Sequence, residues 1–310
     1  MSTETPTAAD DAEAAGPASG AGIDQVRGSG RTVEWTAEQH VYEPHRVGLP
    51  PLRPYIRELW RRREFAFELS RTNLRAQHFE TAFGQAWLVM NPLLLALVYF
   101  ILVDILRHGH RPHGFFAHLV SGIFAYYFVS GAVRESVKSV TGGGRLVLNT
   151  AFPRTLLPLS TVITAFKRFV PTFVIYIPIH LISGLPVGLA DLWLIPIVII
   201  LGFIAAGVAM FVAALQVYFR DVKSFLPYVL RIWLYASPVL YYPNEIPNHW
   251  NWLLKANPIG SPLAAWSDVL QHGHAPPPVD MLVGIAWAVV LFVAGALFFM
   301  SREREFAVRL

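Results

Sequence analysis

Cations stranded in apolar sequence are the residues of this chain best placed to do chemistry. Lys167 and Arg168 interrupt one long apolar stretch, and Arg231 interrupts another. An ionisable side chain at membrane depth is costly, so each such residue is a functional hypothesis by default. Set along a vestibule, these cations would attract an anionic headgroup such as a diphosphate. The alternative for Lys167 and Arg168 is that their helix begins in water and the two long side chains snorkel to the interface. Aromatic residues are the second resource, at 13% of the chain. Tyr99, Tyr126, Tyr127, Trp233 and Tyr235 lie in or beside the apolar stretches, with Phe100, Phe124, Phe128, Tyr241 and Tyr242. Their faces can stack on sugar rings while the phenol hydroxyls give a hydrogen-bonding handle, although such residues also serve packing and interfacial belts.

Other chemistries find less support. A phosphate cradle needs a Gly-rich loop followed by Lys and Ser/Thr, so that backbone amides, an ammonium and a magnesium-ligating hydroxyl converge. Thr141-Gly142-Gly143-Gly144-Arg145 supplies glycines alone, and a flexible turn accounts for it. No nucleotide site of the chain's own is expected. The chain has no cysteine, which removes disulfides, thiolate nucleophiles and thiolate metal sites. His108, His110, His113 and His118 cluster between the first two apolar stretches and could take a metal, but a wet polar loop explains them better. No metal, cofactor or nucleic acid is expected. No nucleophile–base pair is visible for an intramembrane hydrolase, and the loops lack the acidic pair of a metal-dependent glycosyltransferase. The chain is therefore not expected to be an enzyme.

About six apolar stretches must position these residues, at about 86–106, 115–137, 156–184, 191–217, 222–241 and 279–300. Each is close to the ~20 residues with which a helix crosses ~30 Å of hydrocarbon. Backbone in lipid must satisfy its own hydrogen bonds, so helices are the expected form. Composition agrees, with 54% hydrophobic and 15% charged residues and a mean hydropathy of +0.43. The expected fold is an all-α membrane protein with six transmembrane helices across 86–300 and a short tail at 301–310. No internal repeat is evident.

Residues 1–52 read as a disordered tail and Pro-rich linker, with neither the basic start nor the apolar core of a secretory signal. Residues 53–78 carry Arg53, Arg57, Arg61, Arg62, Arg63, Arg71 and Arg75, while Ile56, Leu59, Trp60, Phe67 and Leu74 share one helical stripe. That pattern predicts a basic amphipathic helix in the headgroup plane; packing on a soluble partner is the alternative. With this end inside, the short loops put Lys138, Arg145, Arg154, Arg220 and Lys223 inside, together with Arg302, Arg304 and Arg309. Arg107, Arg111 and Lys255 fall outside, and this asymmetry predicts that both termini are cytoplasmic. The outer segment at about 242–278 is broken by Pro243, Pro247, Pro258, Pro262 and Pro276–Pro278, yet is rich in Trp250, Trp252 and Trp266. Two short re-entrant or interfacial helices fit it, and an aromatic belt anchoring a loop can hold at the same time.

Several segments together resemble the permease subunit of polysaccharide ABC exporters, the Wzm/TagG-type group of the ABC-2 permease family. They are Arg75 and Thr81-Ala82-Phe83-Gly84-Gln85-Ala86-Trp87 leading to Asn91-Pro92; Phe152-Pro153-Arg154 with Leu157-Pro158-Leu159; Tyr218-Phe219-Arg220-Asp221-Val222; Ser237-Pro238-Val239-Leu240-Tyr241; and Asn257-Pro258. Order and spacing over about 53–310 carry the likeness, since no single segment is specific.

The resemblance implies a homodimer joined to two copies of a separate ATPase, which would use ATP and Mg. It implies movement of a lipid-linked glycan from the cytoplasmic to the outer face of a bacterial inner or plasma membrane. It would make the loop with Gly142, Gly143, Gly144, Arg145, Asn149, Phe152, Pro153 and Arg154 the coupling element that docks on the ATPase. The helix with Arg57, Trp60, Arg61, Arg62, Arg63 and Arg71 would lie beside it. Pro243, Trp250, Trp252, Asn257, Pro258 and Trp266 would belong to outer gate helices, and an Arg220–Asp221 ion pair would orient the turn after the fourth span. The composition suggests an actinobacterial member, such as an exporter of lipid-linked galactan. A drug or small-lipid efflux permease of the same family and an ATP-independent flippase are the rival readings.

Overall fold

The computed structural model describes residues 48–76, 86–110, 112–143 and 152–309. The expected tail at 1–47, residues 77–85 and Arg111 lie outside the described residues, as do Gly144, Arg145 and Asn149 of the expected coupling loop. Among the described residues all regular structure is helical.

The expected amphipathic helix forms as two pieces, α1 (Leu52–Arg61) and α2 (Arg63–Ala76), broken at Arg62, where φ is −99° and ψ 16°. The apolar stretches become α3 (Trp87–Leu106), α4 (Phe115–Ser136), α5 (Leu156–Ile182), α6 (Leu194–Tyr218) and, later, α10 (Pro278–Arg302). With the helical turn Leu189–Trp193 added to α6, these are the five described helices long and apolar enough to cross a bilayer. Of their apolar windows, 83% of that in α4 and 67% of that in α6 is buried, against 11% in α3, so α4 and α6 form the centre. Gly114, at φ 73°, makes the left-handed turn that starts α4.

α10 packs on α6 through paired glycines. A Cβ on Gly295 would lie 2.1 Å from the Gly207 carbonyl oxygen, and one on Gly207 would lie 2.3 Å from the Leu291 backbone. Lipid supplies no hydrophobic drive between helices, so close backbone approach at small residues takes its place.

The expected fifth span differs. Instead of a helix over 222–241 the chain forms α7 (Val222–Tyr235), 14 residues with Pro227 inside. At ~1.5 Å per residue that is ~21 Å, short of the hydrocarbon thickness. The stop has a local cause, because Ser237 precedes Pro238 and proline disfavours helix in the residue before it. The segment still runs the length of α4. Val222, Leu226 and Leu230 pack with Val133 and Val137, and Tyr242 stacks on His118 with ring centroids 4.2 Å apart. After a turn at Pro243–Glu245 come two short helices, α8 (Asn251–Ala256) and α9 (Gly260–His272).

One end of the bundle gathers the C-terminal ends of α4, α6 and α10 around Val140, Val217, Phe299 and Phe306; we call it the basic end. At the far end, Arg107, Phe115 and Glu245 meet.

Candidate functional site: an aromatic cavity and two polar clasps

At the far end α7 and the chain after it enclose a cavity of about 800 Å³, lined by Trp233, Tyr235, Tyr241, Trp250, Asn257 and Pro258 among others. Asn257 fixes its frame. Its side-chain oxygen accepts Trp233 Nε1–H at 2.8 Å and the Ile259 N–H at 3.2 Å, and its amide donates to Ala236 O at 3.1 Å and Ser237 Oγ at 3.0 Å. Those bonds cap the interrupted helix, so the proline that ends α7 leaves no orphaned carbonyl at Ala236. Trp287 Nε1 donates to Lys255 O at 2.8 Å and ties α8 to α10. Trp250 and Trp252 stack with centroids 6.4 Å apart.

Arg107 makes a two-pronged ion pair with Glu245 at 2.6 and 2.7 Å, binding the C-terminal end of α3 to the Pro243–Glu245 turn at the cavity's rim. The guanidinium holds the Glu245 carboxyl below its usual range. Tyr99 meets Tyr235 hydroxyl to hydroxyl at 3.2 Å. Tyr126 donates to Leu230 O and presents an edge to Trp233.

The structure thus joins Tyr99, Tyr126, Trp233 and Tyr235 of the expected path to Trp250, Asn257 and Pro258 of the expected gate. Other expected members lie elsewhere. Pro243 starts the turn that carries Glu245. Trp252 is exposed. Trp266 is 1% exposed, packed on Phe169 and Phe173 inside the bundle. Tyr127 lines a separate cavity of about 200 Å³ with Trp87, Arg134, Glu135 and Arg168. His118 leaves the histidine cluster for the core, where its Nδ1 lies 3.0 Å from Ser267 Oγ. No group of three or more metal-ligating side chains occurs among the described residues.

The three cations separate. Lys167 donates to the Phe67 carbonyl of α2 at 3.3 Å, which sets it at the level of that helix. Arg168 pairs with Glu135 in the last turn of α4. Glu135 stands 33 residues from Arg168, so no local spacing announces the pair. Arg231 stays exposed on α7, which buries only Val222, Leu226, Leu230 and Leu234.

A second clasp forms at the basic end. Tyr55 of α1 donates to Glu303 Oε2 at 2.5 Å and lies 2.5 Å from Thr155 Oγ1. The other Glu303 oxygen accepts the Arg154 backbone N–H, and Arg154 Nη1 donates to Glu303 O at 2.7 Å. Burial, with the Glu303 carboxylate adding to it, pushes the Tyr55 phenol up, and burial lowers Arg154. Phe152 packs on Phe65 of α2 with centroids 5.0 Å apart. Phe152, Pro153 and Arg154, the described end of the expected coupling loop, are therefore fastened to α1, α2 and the chain's last turn. Neither Glu303 nor Tyr55 carries a sequence signal, since the pair is 248 residues apart.

Along α1 and α2, Arg62 pairs with Glu58, Arg63 lies 4.9 Å over Trp60, and Arg57, Arg61 and Arg71 are exposed. Trp60 is 68% exposed, so among the described residues the apolar stripe of α1 is left uncovered there. No ion pair joins Arg220 to Asp221. Gln216 holds that turn, donating to Arg220 O at 3.1 Å and accepting the Lys223 N–H at 2.9 Å.

Comparison with known proteins places this architecture. The chain is 27% identical over 258 residues to the O-antigen export system permease protein RfbA of Myxococcus xanthus, covering 81% of this chain and 97% of that one. It is 26% identical over 206 residues to the RfbA permease of Klebsiella pneumoniae, covering 66% and 79%. The ABC-2 type transporter profile matches residues 67–268, from α2 through most of α9. Five bilayer-length helices and a family match across most of the helical core make this a multi-pass membrane protein, and the chain belongs to the ABC-2 type transporter family.

Proposed function

We propose that this chain is the transmembrane subunit of an ATP-driven exporter that carries a lipid-linked polysaccharide, of the O-antigen, teichoic acid or galactan class, out across a bacterial plasma membrane. The RfbA permeases it resembles are named for O-antigen export, and the M. xanthus likeness runs the length of that protein. The observation that carries the reading is the exposed face of α7. A helix that buries one narrow stripe and leaves Arg231 uncovered, among exposed Phe225, Tyr228, Val229 and Ile232, would set a cation against lipid at high cost. It needs a second copy of the chain with a polar passage between the two, and an aromatic-lined passage suits sugar rings.

In this reading the chain crosses six times, with 222–241 as a composite crossing. Support comes from its path along α4 and from the Tyr55–Glu303 bond, which keeps α1 and the C-terminal turn at one end. That end is cytoplasmic by its cationic excess. There the Gly142–Arg154 loop receives an ATPase, two copies to two permease chains, and α1 lies in the headgroup plane with its Trp60 stripe buried in acyl chains. The ATPase binds and hydrolyses ATP.

Co-purification with the ATPase and transport in vesicles test this. Arg231→Ala should lower export about tenfold or more, as for loss of a charge-assisted contact, while the ATPase still co-purifies. Transport by the permease alone would reject the scheme, as would unchanged export in Arg231→Ala.

A further inference from the structure

At the basic end a cavity of about 410 Å³ opens between the ends of α4 and α6, the start of α7 and the C-terminal turn. Lys138, Gly142, Gln216, Arg220, Lys223 and Arg309 line it. Its size falls within the ~300–1,000 Å³ typical of small-ligand pockets. Four of its lining residues are cations and none is a carboxylate. Arg309 lies over the Tyr218 ring at 4.4 Å and 3.6 Å from Glu305, a carboxylate that Tyr218 and Arg302 also engage. Among the described residues no carboxylate comes within ion-pairing distance of Lys138, Arg220 or Lys223.

Two ordinary causes fall short. A cytoplasmic excess of cations explains their sign but not their convergence on one concavity from separate elements. The C-terminal ends of α4 and α6 favour a nearby cation each, yet that effect fades within a turn and is screened at a wet surface. Like charges brought together repel unless an anion sits among them. The framework is also set in advance. Gln216, 5% exposed, bonds both Arg220 O and the Lys223 N–H, so the turn bearing two of the cations is fixed from beneath.

We propose that this cavity is a binding site for a phosphate-bearing group, a phosphomonoester or diphosphate, held by Lys138, Arg220 and Lys223. Arginine grips phosphate with paired N–H groups and lysine acts as a point charge. The proposal does not depend on which molecule is exported. The phosphate can belong to a membrane lipid headgroup or to a soluble compound, and one experiment separates the two.

The full chain, in phosphatidylcholine nanodiscs, is titrated with radiolabelled inorganic diphosphate. Saturable binding is expected, weakened about tenfold or more in Arg220→Gln/Lys223→Gln through lost charge-assisted bonds. It should be retained in the charge-keeping Arg220→Lys/Lys223→Arg and in Lys255→Gln, whose cation lies outside this cavity. If a lipid headgroup is the natural occupant, phosphatidic acid, whose headgroup is a phosphomonoester, competes with diphosphate when placed in the disc, and native mass spectrometry finds it retained by wild type but not by the Gln pair. If the occupant is soluble, phosphatidic acid leaves diphosphate binding unchanged. Either result upholds the site. Absence of saturable diphosphate binding and lipid retention in wild type would overturn it, as would equal binding in the Gln pair. Loss of only the ATPase partner in the Gln pair, with wild type binding neither probe, would assign these cations to docking instead and also overturn it.

Discussion

Substituting alanine at Gly295 tests the architecture most directly. The added Cβ would meet the Gly207 carbonyl oxygen at 2.1 Å, whereas ordinary contact begins near 3.4 Å. Nothing flexible can yield, because the obstacle is the backbone of α6, so α6 and α10 must part by ~1 Å or more, an overpacking worth about 3 kcal/mol. Alanine returns about 1 kcal/mol in helix propensity, leaving a net loss of about 2 kcal/mol. For a chain of this size that lowers the melting temperature by about 3 °C. Gly131→Ala is the internal control, since a Cβ there meets nothing within 4 Å. It should gain up to about 1 kcal/mol. Both variants are followed by thermal unfolding in one detergent at one scan rate. If Gly295→Ala melts at or above wild type, or the two variants move together, the glycine contact does not hold these helices.

Three further outcomes follow from the two clasps and the Asn257 frame. Arg107→Ala, Glu245→Ala and their double variant should show a coupling of about 0.5–1 kcal/mol in unfolding experiments. Glu245 is held below its usual 4.5, so its contribution is present above that pH and is lost as pH falls through the folded value; Glu245→Gln should lack that acid-side loss, and matching acid profiles would refute the pairing. Tyr55→Phe takes a donor from a buried carboxylate, at a cost of ~1–3 kcal/mol, and should speed hydrogen exchange across α1 by about tenfold or more; unchanged protection would mean the clasp does not hold α1. Asn257→Ala strands the Trp233 N–H and the Ala236 carbonyl, so a loss of ~2–3 kcal/mol is expected, and a thermal melt like wild type would show that water replaces the side chain.

The bilayer class was legible because the solvent imposes it: a run such as Leu194–Tyr218 has no other way to satisfy its backbone in hydrocarbon. Within the described residues, helix boundaries came within a few positions for the same reason, and the cationic asymmetry needs only a count of loop residues. The break in α7 was written in Ser237-Pro238, but apolar composition masked it, because hydropathy sums side chains and is blind to a missing N–H. Pairings were not legible. Arg168 with Glu135, Arg107 with Glu245 and Tyr55 with Glu303 join residues 33, 138 and 248 apart, and no local period encodes such distances. Sequence alone therefore determined the solvent this chain lives in and the residues able to carry charge or stack on sugars. Tertiary structure decided which cations are spent on neighbours and which remain open, because a charge is neutralised by what lies within a few ångströms in space, wherever that partner stands along the chain.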